Sequence, residues 1–295
     1  MANIINAIIN LINNSITEIK EHYTSENRMN NNGKALEIYV KNLFSDAFYL
    51  SEEESKEKYK KIFSHTENKN NPPDLILKLG DAIEVKKIES EDREIALNSS
   101  YPKAKLYSFD EMLTAECKKC EDGLYGMDSN GKMKHWDVKD IIYIVGVVNS
   151  NMLETLCMVY GEDYAASFDT YKRIKKIIKD GVEKIDNVKS EKTKELGRFK
   201  KVDPLGITYL RIRGMWEIKN PLKTFEYIYK VDETKKFNFM CIINEEKWNT
   251  FDKKDRQELQ EIIEKEKNAE ISDVKIKDPN NPKKSKSAKL ITFKI

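Results

Sequence analysis

Two short apolar runs, Leu75–Leu79 and Ala82–Ile88, flank Gly80-Asp81, and this pairing constrains the fold more than any other feature of the chain. A Gly-Asp pair between strand-forming residues is a hairpin signal. On the second strand, alternation of side chains puts Glu84 and Lys86 on one face. Loop length decides where Asp74 falls. A plain two-residue loop pairs Leu79 with Ala82 and Leu75 with Lys86, and turns Asp74 away from Glu84. Leu75, Leu77 and Leu79 share a buried face with Ile83 and Val85 only if the loop has an odd count, for instance Leu79-Gly80-Asp81 with a bulge. In that register Leu75 lies opposite Val85 and Asp74 opposite Lys86. Asp74, Glu84 and Lys86 then converge on the other face, and this is the register expected.

Around the hairpin the pattern alternates between helix and strand. Ile5, Ile8, Ile9, Ile12, Ile16 and Ile19 recur at helical spacing. Asn30, Asn31, Asn32 and Gly33 break that pattern, and a second helix is expected from about Lys34 to Phe48, burying Leu36, Tyr39, Val40, Leu43 and Phe44. Ser51 to Lys61 reads as a solvated helix or loop and Asn68 to Pro73 as a turn-rich connector. Residues 90–137 are polar and irregular, with short helices expected around Tyr107–Leu113. Ile141–Val148 and Leu156–Tyr160 read as buried strands. Tyr171–Val188 reads as a basic amphipathic helix carrying Ile174, Ile177, Ile178, Val182 and Ile185. Gly206–Ile212 and Lys236–Ile243 read as strands, Asp252–Lys267 as a charged helix and Leu290–Ile295 as a closing strand. There is no internal repeat. The order predicts an α/β domain built on a mixed sheet.

With 295 residues, one elaborated domain or two small ones are open on length alone. A 39% hydrophobic fraction supplies a core and excludes global disorder, despite 35% charged residues. Ile141 to Val148, the longest clean apolar run, is far too short to cross a bilayer. The start of the chain lacks the marks of a signal peptide, and four cysteines without one suggest reduced thiols in the cytoplasm.

Asp74, Glu84 and Lys86 on one strand pair would form a compact site for a divalent metal. Carboxylate oxygens suit Mg²⁺, which keeps several waters and accepts phosphate oxygens. Such a cation stabilises charge on a transferring phosphoryl group and acidifies an attacking water. A lysine beside it can position or deprotonate that water, helped by a pKa depressed near the cation. The reaction inferred is metal-assisted phosphodiester hydrolysis, with Glu37 on the preceding helix as a further acidic candidate. The same pattern also arises on strand faces that are merely solvated.

Charge adds a second lead. Of 52 basic residues only seven are Arg, and three of these, Arg198, Arg211 and Arg213, fall within sixteen positions. A guanidinium fork bonds phosphate or guanine in pairs, which Lys cannot imitate, although ordinary salt bridging would also use it. Residues 171–201 hold twelve Lys/Arg against five Asp/Glu, and 274–295 hold seven Lys against one Asp. Either could line a DNA cleft, or be a solvated helix face and a flexible tail.

The stretch Pro73-Asp74-Leu75-Ile76 through Gly80-Asp81-Ala82-Ile83-Glu84-Val85-Lys86-Lys87-Ile88-Glu89 resembles the catalytic hairpin of PD-(D/E)xK nucleases. With Ala96-Leu97-Asn98-Ser99-Ser100-Tyr101-Pro102, Met158-Val159-Tyr160-Gly161, Leu196-Gly197-Arg198, Val202-Asp203-Pro204-Leu205-Gly206-Ile207 and Arg211-Ile212-Arg213-Gly214-Met215-Trp216, the chain is similar to the NgoPII family of type II restriction endonucleases over most of residues 33–222.

That resemblance implies a mixed central sheet flanked by helices. It suggests one domain over 1–295, with a catalytic core at about 33–222 and added strands, a helix and a basic tail at 223–295. It also implies Mg²⁺-dependent cleavage of double-stranded DNA at GGCC. Asp74 and Glu84 become metal ligands and Lys86 the catalytic lysine. A palindromic site implies a homodimer, and the family implies a cognate DNA methyltransferase in the same cell. Arg198, Arg211 and Arg213 become candidate guanine readers. Asn98, Ser99, Ser100 and Tyr101 follow the catalytic strand closely enough to touch DNA, unless they form a turn that simply redirects the chain. Lys103, Lys105, Lys200 and Lys201 lie nearest the matching motifs and are the favoured phosphate contacts.

Other readings stay open. A repair or junction-resolving nuclease would keep the fold and read DNA shape, and a DNA-binding module would have lost catalysis. Cys117-x-x-Cys120 with His135 is half a zinc site that no second pair completes. Cys157 and Cys241 read as buried hydrophobes, and Trp136, Trp216 and Trp248 as packing residues.

Overall fold

The computed structural model describes residues 2–19, 28–66, 72–118 and 136–295, without the side chains of 28–32. Asn3 caps the first helix, α1 (Ile4–Asn14), by accepting from the Ile5 and Asn6 amides. Ser15, at φ 49°, ends it. Ile16 and Ile19 therefore lie beyond the helix in which their spacing placed them, and Ile19 is buried beside the bridge between Glu18 and Met152.

α2 (Arg28–Ser45) runs straight through Asn30–Gly33, where a break was expected. These residues are poor helix formers, but the apolar face that follows, with Leu36, Tyr39, Val40, Leu43 and Phe44 all buried, outweighs them. α3 (Glu52–Ile62) starts at a Ser51–Glu54 capping box and presents a solvated surface. Asn68–Asn71 of the expected connector lie outside the described residues.

The strands follow: β1 (Phe63–His65), β2 (Leu75–Leu77), β3 (Ala82–Ile88), β4 (Ile95–Asn98) and β5 (Lys105–Tyr107). After β5, Tyr107–Leu113 makes successive turns rather than a helix, ahead of a short α4 (Ala115–Lys118). β6 (Val138–Asn149) and β7 (Met152–Tyr160) form the long central hairpin. Beyond it lie α5 (Gly161–Tyr164), α6 (Phe168–Val182), β8 (Lys189–Ser190), β9 (Gly197–Lys200), β10 (Tyr209–Ile212), β11 (Trp216–Ile218) and α7 (Pro221–Thr224). α6 stops six residues short of the expected Val188 and buries none of its side chains. The chain closes with β12 (Asn238–Asn244), α8 (Glu245–Thr250), α9 (Lys253–Lys265), β13 (Ala269–Asp278) and β14 (Asn281–Lys294).

One mixed sheet organises these elements, in the order β1-β2-β3-β6-β7-β12-β14-β13, with β5 added against β6. β3 and β6 run parallel, as do β7 and β12. Helices α1, α2 and α9 cover one face, packing Ile8, Leu36 and Leu259 over Ile83, Ile144, Met158 and Phe239. The other face buries Tyr143, Val145, Val159 and Ile242 beneath Leu97, Leu106, Trp136, Leu222 and Phe225. β12 lies inside this sheet, so the C-terminal segment shares the core of the rest. The basic stretch 274–295 is not a flexible tail but most of the β13–β14 hairpin, where Lys289 pairs with Asp273 and Lys286 with Asp163.

The hairpin that carries Glu84 keeps the expected parity and shifts the expected register. Leu75 pairs with Ile83 and Ile76 with Ala82. Leu75, Leu77, Ile83 and Val85 share one buried face. Leu79 does not join them: it sits in the loop at φ 55°, 40% exposed. The loop is Lys78-Leu79-Gly80, closed by the Leu77 amide on Asp81 O at 3.0 Å. Leu75 therefore lies opposite Ile83 and not Val85, and by extension Asp74 falls level with Glu84 and not Lys86.

Candidate active site

Both strands of this hairpin aim acid and base into one place. Asp74 Oδ2 accepts the Val85 amide at 2.7 Å, which ties the carboxylate to β3. Lys86 Nζ stands 2.6 Å from Glu84 Oε1 and 3.9 Å from Asp74 Oδ2. Glu84 Oε2 is buried and has no hydrogen-bond partner among the described residues. An ionised oxygen left so is costly unless a cation meets it.

Electrostatics point the same way. Burial, then the neighbouring Glu84 charge, pushes the Asp74 carboxyl up to about 8. Burial works against the Lys86 ammonium, but Glu84 and Asp74 outweigh it and hold the group above its ordinary value. The lowered value expected of this lysine was tied to a neighbouring cation; among the protein's own groups the two carboxylates outweigh the lowering effect of burial.

Two converging carboxylates, one with an orphaned oxygen, fit a hard divalent cation. Among the described residues no three His, Cys, Asp or Glu side chains form a metal-binding group. The protein therefore offers two carboxylates, and water and phosphate oxygens would complete the shell, as Mg²⁺ prefers. Glu37 lies within electrostatic reach of Lys86 and Glu84, its carboxyl raised by burial, yet it does not complete a three-ligand group.

The wall beside this pair was not legible in advance. Tyr143 of β6 is level with Glu84 across the parallel pairing and accepts the Lys103 amide at 2.7 Å. Lys103, expected at a phosphate, is only 4% exposed: its Nζ bonds Asp110 at 2.6 Å and sits 3.2 Å over the Tyr101 ring. Tyr101 stacks on Tyr171 of α6 at 4.8 Å and meets Trp216 edge-on. Lys105 is held between Asp140 and Glu162 at 2.8 and 2.7 Å. In this structure, then, Tyr101, Lys103 and Lys105 are tied into the scaffold by these contacts, Lys103 being the most deeply buried of the three. The partners of Lys105, Asp140 and Glu162, are distant in sequence and supplied no local signal.

Leu97 to Ser100 forms a turn, closed by the Ser100 amide on Leu97 O. Asn98, at φ 52° opposite Trp216, and Ser99 are exposed, whereas Ser100 Oγ is buried without a partner among the described residues. Gly161 shows why the Met158–Gly161 motif ends in glycine, since a Cβ there would stand 2.2 Å from Lys103 O.

The arginines gather on a separate ribbon, β8-β9-β10. Arg198 and Arg211 are directly opposite one another, as are Lys200 and Tyr209. Arg198 and Lys200 pair with Glu191, and Arg211 and Arg213 pair with Glu195. Lys201 is exposed at the corner, at φ 60°. Helix α6 bridges the segment after β4, through Tyr171 on Tyr101, and the segment between β8 and β9, through Lys175 Nζ on Thr193 O at 3.0 Å. Elsewhere, Cys157 and Cys241 are buried as expected, and Cys117 Sγ lies 3.4 Å from His65 Nε2. Cys120 and His135 lie outside the described residues.

Comparison with known proteins gives two matches. The family model for the NgoPII restriction endonuclease matches residues 2–277. The type II restriction enzyme NgoPII of Neisseria gonorrhoeae is 50% identical over 294 residues, covering 99% of this chain and the whole of that relative. No solved structure matches significantly.

Proposed function

Because the chain belongs to the NgoPII restriction endonuclease family, we propose that it cleaves duplex DNA at GGCC, with Mg²⁺ held by Asp74 and Glu84 and with Lys86 as the catalytic lysine. The observation that carries this reading is the buried, partnerless Glu84 Oε2 beside Asp74, with Lys86 Nζ 2.6 Å from the other Glu84 oxygen.

Bound there, the cation would neutralise charge on the scissile phosphate and acidify a water. Asp74, fixed by the Val85 amide, and Glu84, fixed on β3, orient its ligand oxygens. Lys86 holds its ammonium beside both carboxylates, where it can orient an attacking water or neutralise a non-bridging phosphate oxygen; to take a proton from that water it must first give up its own. Tyr143 packs level with Glu84 and helps exclude bulk solvent from it. Glu37 adds negative charge nearby without joining the pair.

Arg198, Arg211 and Arg213 are the proposed guanine readers, since a β-ribbon fits the major groove and guanine O6 and N7 suit a guanidinium fork. Lys200 and Lys201, with the exposed Asn98 and Ser99, are proposed to position the backbone. A palindrome read by one ribbon per half-site calls for a homodimer. Ile177 on α6, 61% exposed among Ile174, Ile178 and Val182, gives such a dimer a candidate apolar surface. A methyltransferase of the same specificity is proposed to protect the host DNA.

Digestion of a mapped plasmid with Mg²⁺ tests the reading. Discrete fragments ending at GGCC are expected. Fragments at another sequence would correct the site and keep the chemistry. Binding without any cutting would favour a non-catalytic module and overturn it.

A further inference from the structure

Three cations share one face of the β9–β10 ribbon, and a fourth, Arg213, follows directly after β10. Antiparallel partners point the same way, so Arg198, Lys200 and Arg211 lie side by side, with Arg213 two residues further along. Like charges placed directly opposite repel. Two carboxylates from the preceding segment answer them, and the way Glu195 does so is specific. One Glu195 oxygen takes Arg211 Nε at 3.0 Å, and the other takes Arg211 Nη2 at 2.6 Å and Arg213 Nε at 2.7 Å.

A planar guanidinium carries five N–H donors on two usable edges: a side edge, made by Nε and one Nη, and an end edge, made by both Nη groups. Glu195 occupies the side edge of Arg211 and the Nε of Arg213. Arg211 Nη1 and both Nη groups of Arg213 make no hydrogen bond to the described residues, and Arg211 Nη2, bonded to Glu195 through one N–H, keeps its other N–H for the end edge.

We propose that Glu195 is a specificity-determining positioning residue, which grips Arg211 and Arg213 by their inner donors and fixes their outer forks for guanine O6 and N7. This rests on the reading of these arginines as guanine readers. Fixing two long side chains before DNA arrives removes rotamer entropy otherwise lost on binding. It also penalises a wrong base, since a held fork cannot swing to another acceptor.

The test measures kcat/KM on a duplex carrying the cleavage site mapped on a plasmid, and on duplexes with each G·C pair replaced by A·T. Wild type is compared with Glu195→Ala, Glu195→Gln, Arg211→Ala and Arg213→Ala. Glu195→Ala is expected to narrow the preference for guanine by about tenfold or more at the positions read by Arg211 and Arg213. Binding to non-specific DNA should hold or strengthen, because a negative charge has gone. Glu195→Gln, whose single amide oxygen can still accept from Arg211 Nη2 and Arg213 Nε but not also from Arg211 Nε, is expected to fall between Glu195→Ala and the wild type. Loss of an ordinary structural salt bridge would not redistribute base preference in this way. Full preference retained in Glu195→Ala, or faster cognate cutting, would overturn the proposal while the arginine variants still lose preference. If Arg211→Ala and Arg213→Ala both keep full preference, the reading beneath it fails instead.

Discussion

At Asp74, lost solvation and the adjacent Glu84 charge act in the same direction, and the proton-bound form gains. The folded chain thus holds a proton that the unfolded chain releases near pH 4, and keeps it up to about pH 8. Across that window the unfolded state binds fewer protons, so this group makes stability fall as pH rises. Without added metal, the melting temperature of the wild type should fall more steeply from pH 5 to pH 8 than that of Asp74→Asn. Mg²⁺ at pH 8 should raise the wild type and leave the variant unmoved; parallel curves would count against a metal at this carboxylate. Lys103 has a different duty. Lys103→Ala would strand Asp110 in a buried position, at a cost of roughly 3–5 kcal/mol in chemical denaturation. The salt dependence of DNA binding should not change, whereas Arg198→Ala should make it shallower. A shallower slope for Lys103→Ala would restore it as a phosphate contact. The sequence alone could not separate these lysines, because nothing in the spacing announces that Lys103 folds back on Tyr101 and Asp110 within its own loop while Glu84 approaches from the hairpin.

For the elements, the hairpin at 75–88 was legible because Leu75, Leu77, Ile83 and Val85 demand one face, and parity follows from that demand alone. Its exact step was not, because it turned on whether Leu79 belonged to the strand, and an exposed left-handed leucine is not announced by hydrophobicity. The same limit hid the course of α2 through Gly33 and the length of the β13–β14 hairpin, where alternating lysines and serines look like a solvated tail. Close approach between elements is equally silent until the fold is known. At the start of α5, Gly161 touches the backbone that leads into β5, with no room for a methyl group beside Lys103 O. Gly161→Ala should therefore lower stability by about 1–3 kcal/mol and slow cleavage, because Lys103 and Tyr101 would shift beside Glu84. Wild-type denaturation and wild-type rates in that variant would show that the contact yields without consequence.

In the whole molecule, the mixed sheet, its two helical and looped layers, and the family could all be inferred from the order of elements and from the motifs. The assembly is a separate matter. The apolar stripe of α6 carries Ile177 at 61% exposure on a helix that buries none of its residues, which suits a surface that a second chain covers. Sedimentation at micromolar concentration should give twice the 34.5 kDa of one chain, and Ile177→Asp should give the monomer mass. Such a monomer would nick a palindrome far more slowly than the wild type cuts both strands. A wild type that sediments as a monomer, with and without cognate DNA, would contradict the two-fold reading.

The most direct test of the account is single-turnover cleavage of a GGCC duplex by the wild type and by Lys86→Ala, with binding measured separately in Ca²⁺. Binding should be unchanged, and the cleavage rate of the variant at least about 10²-fold lower, as expected when a group acting on the attacking water is removed. Cleavage by Lys86→Ala at the wild-type rate would mean that the chemistry is carried elsewhere than at Asp74, Glu84 and Lys86.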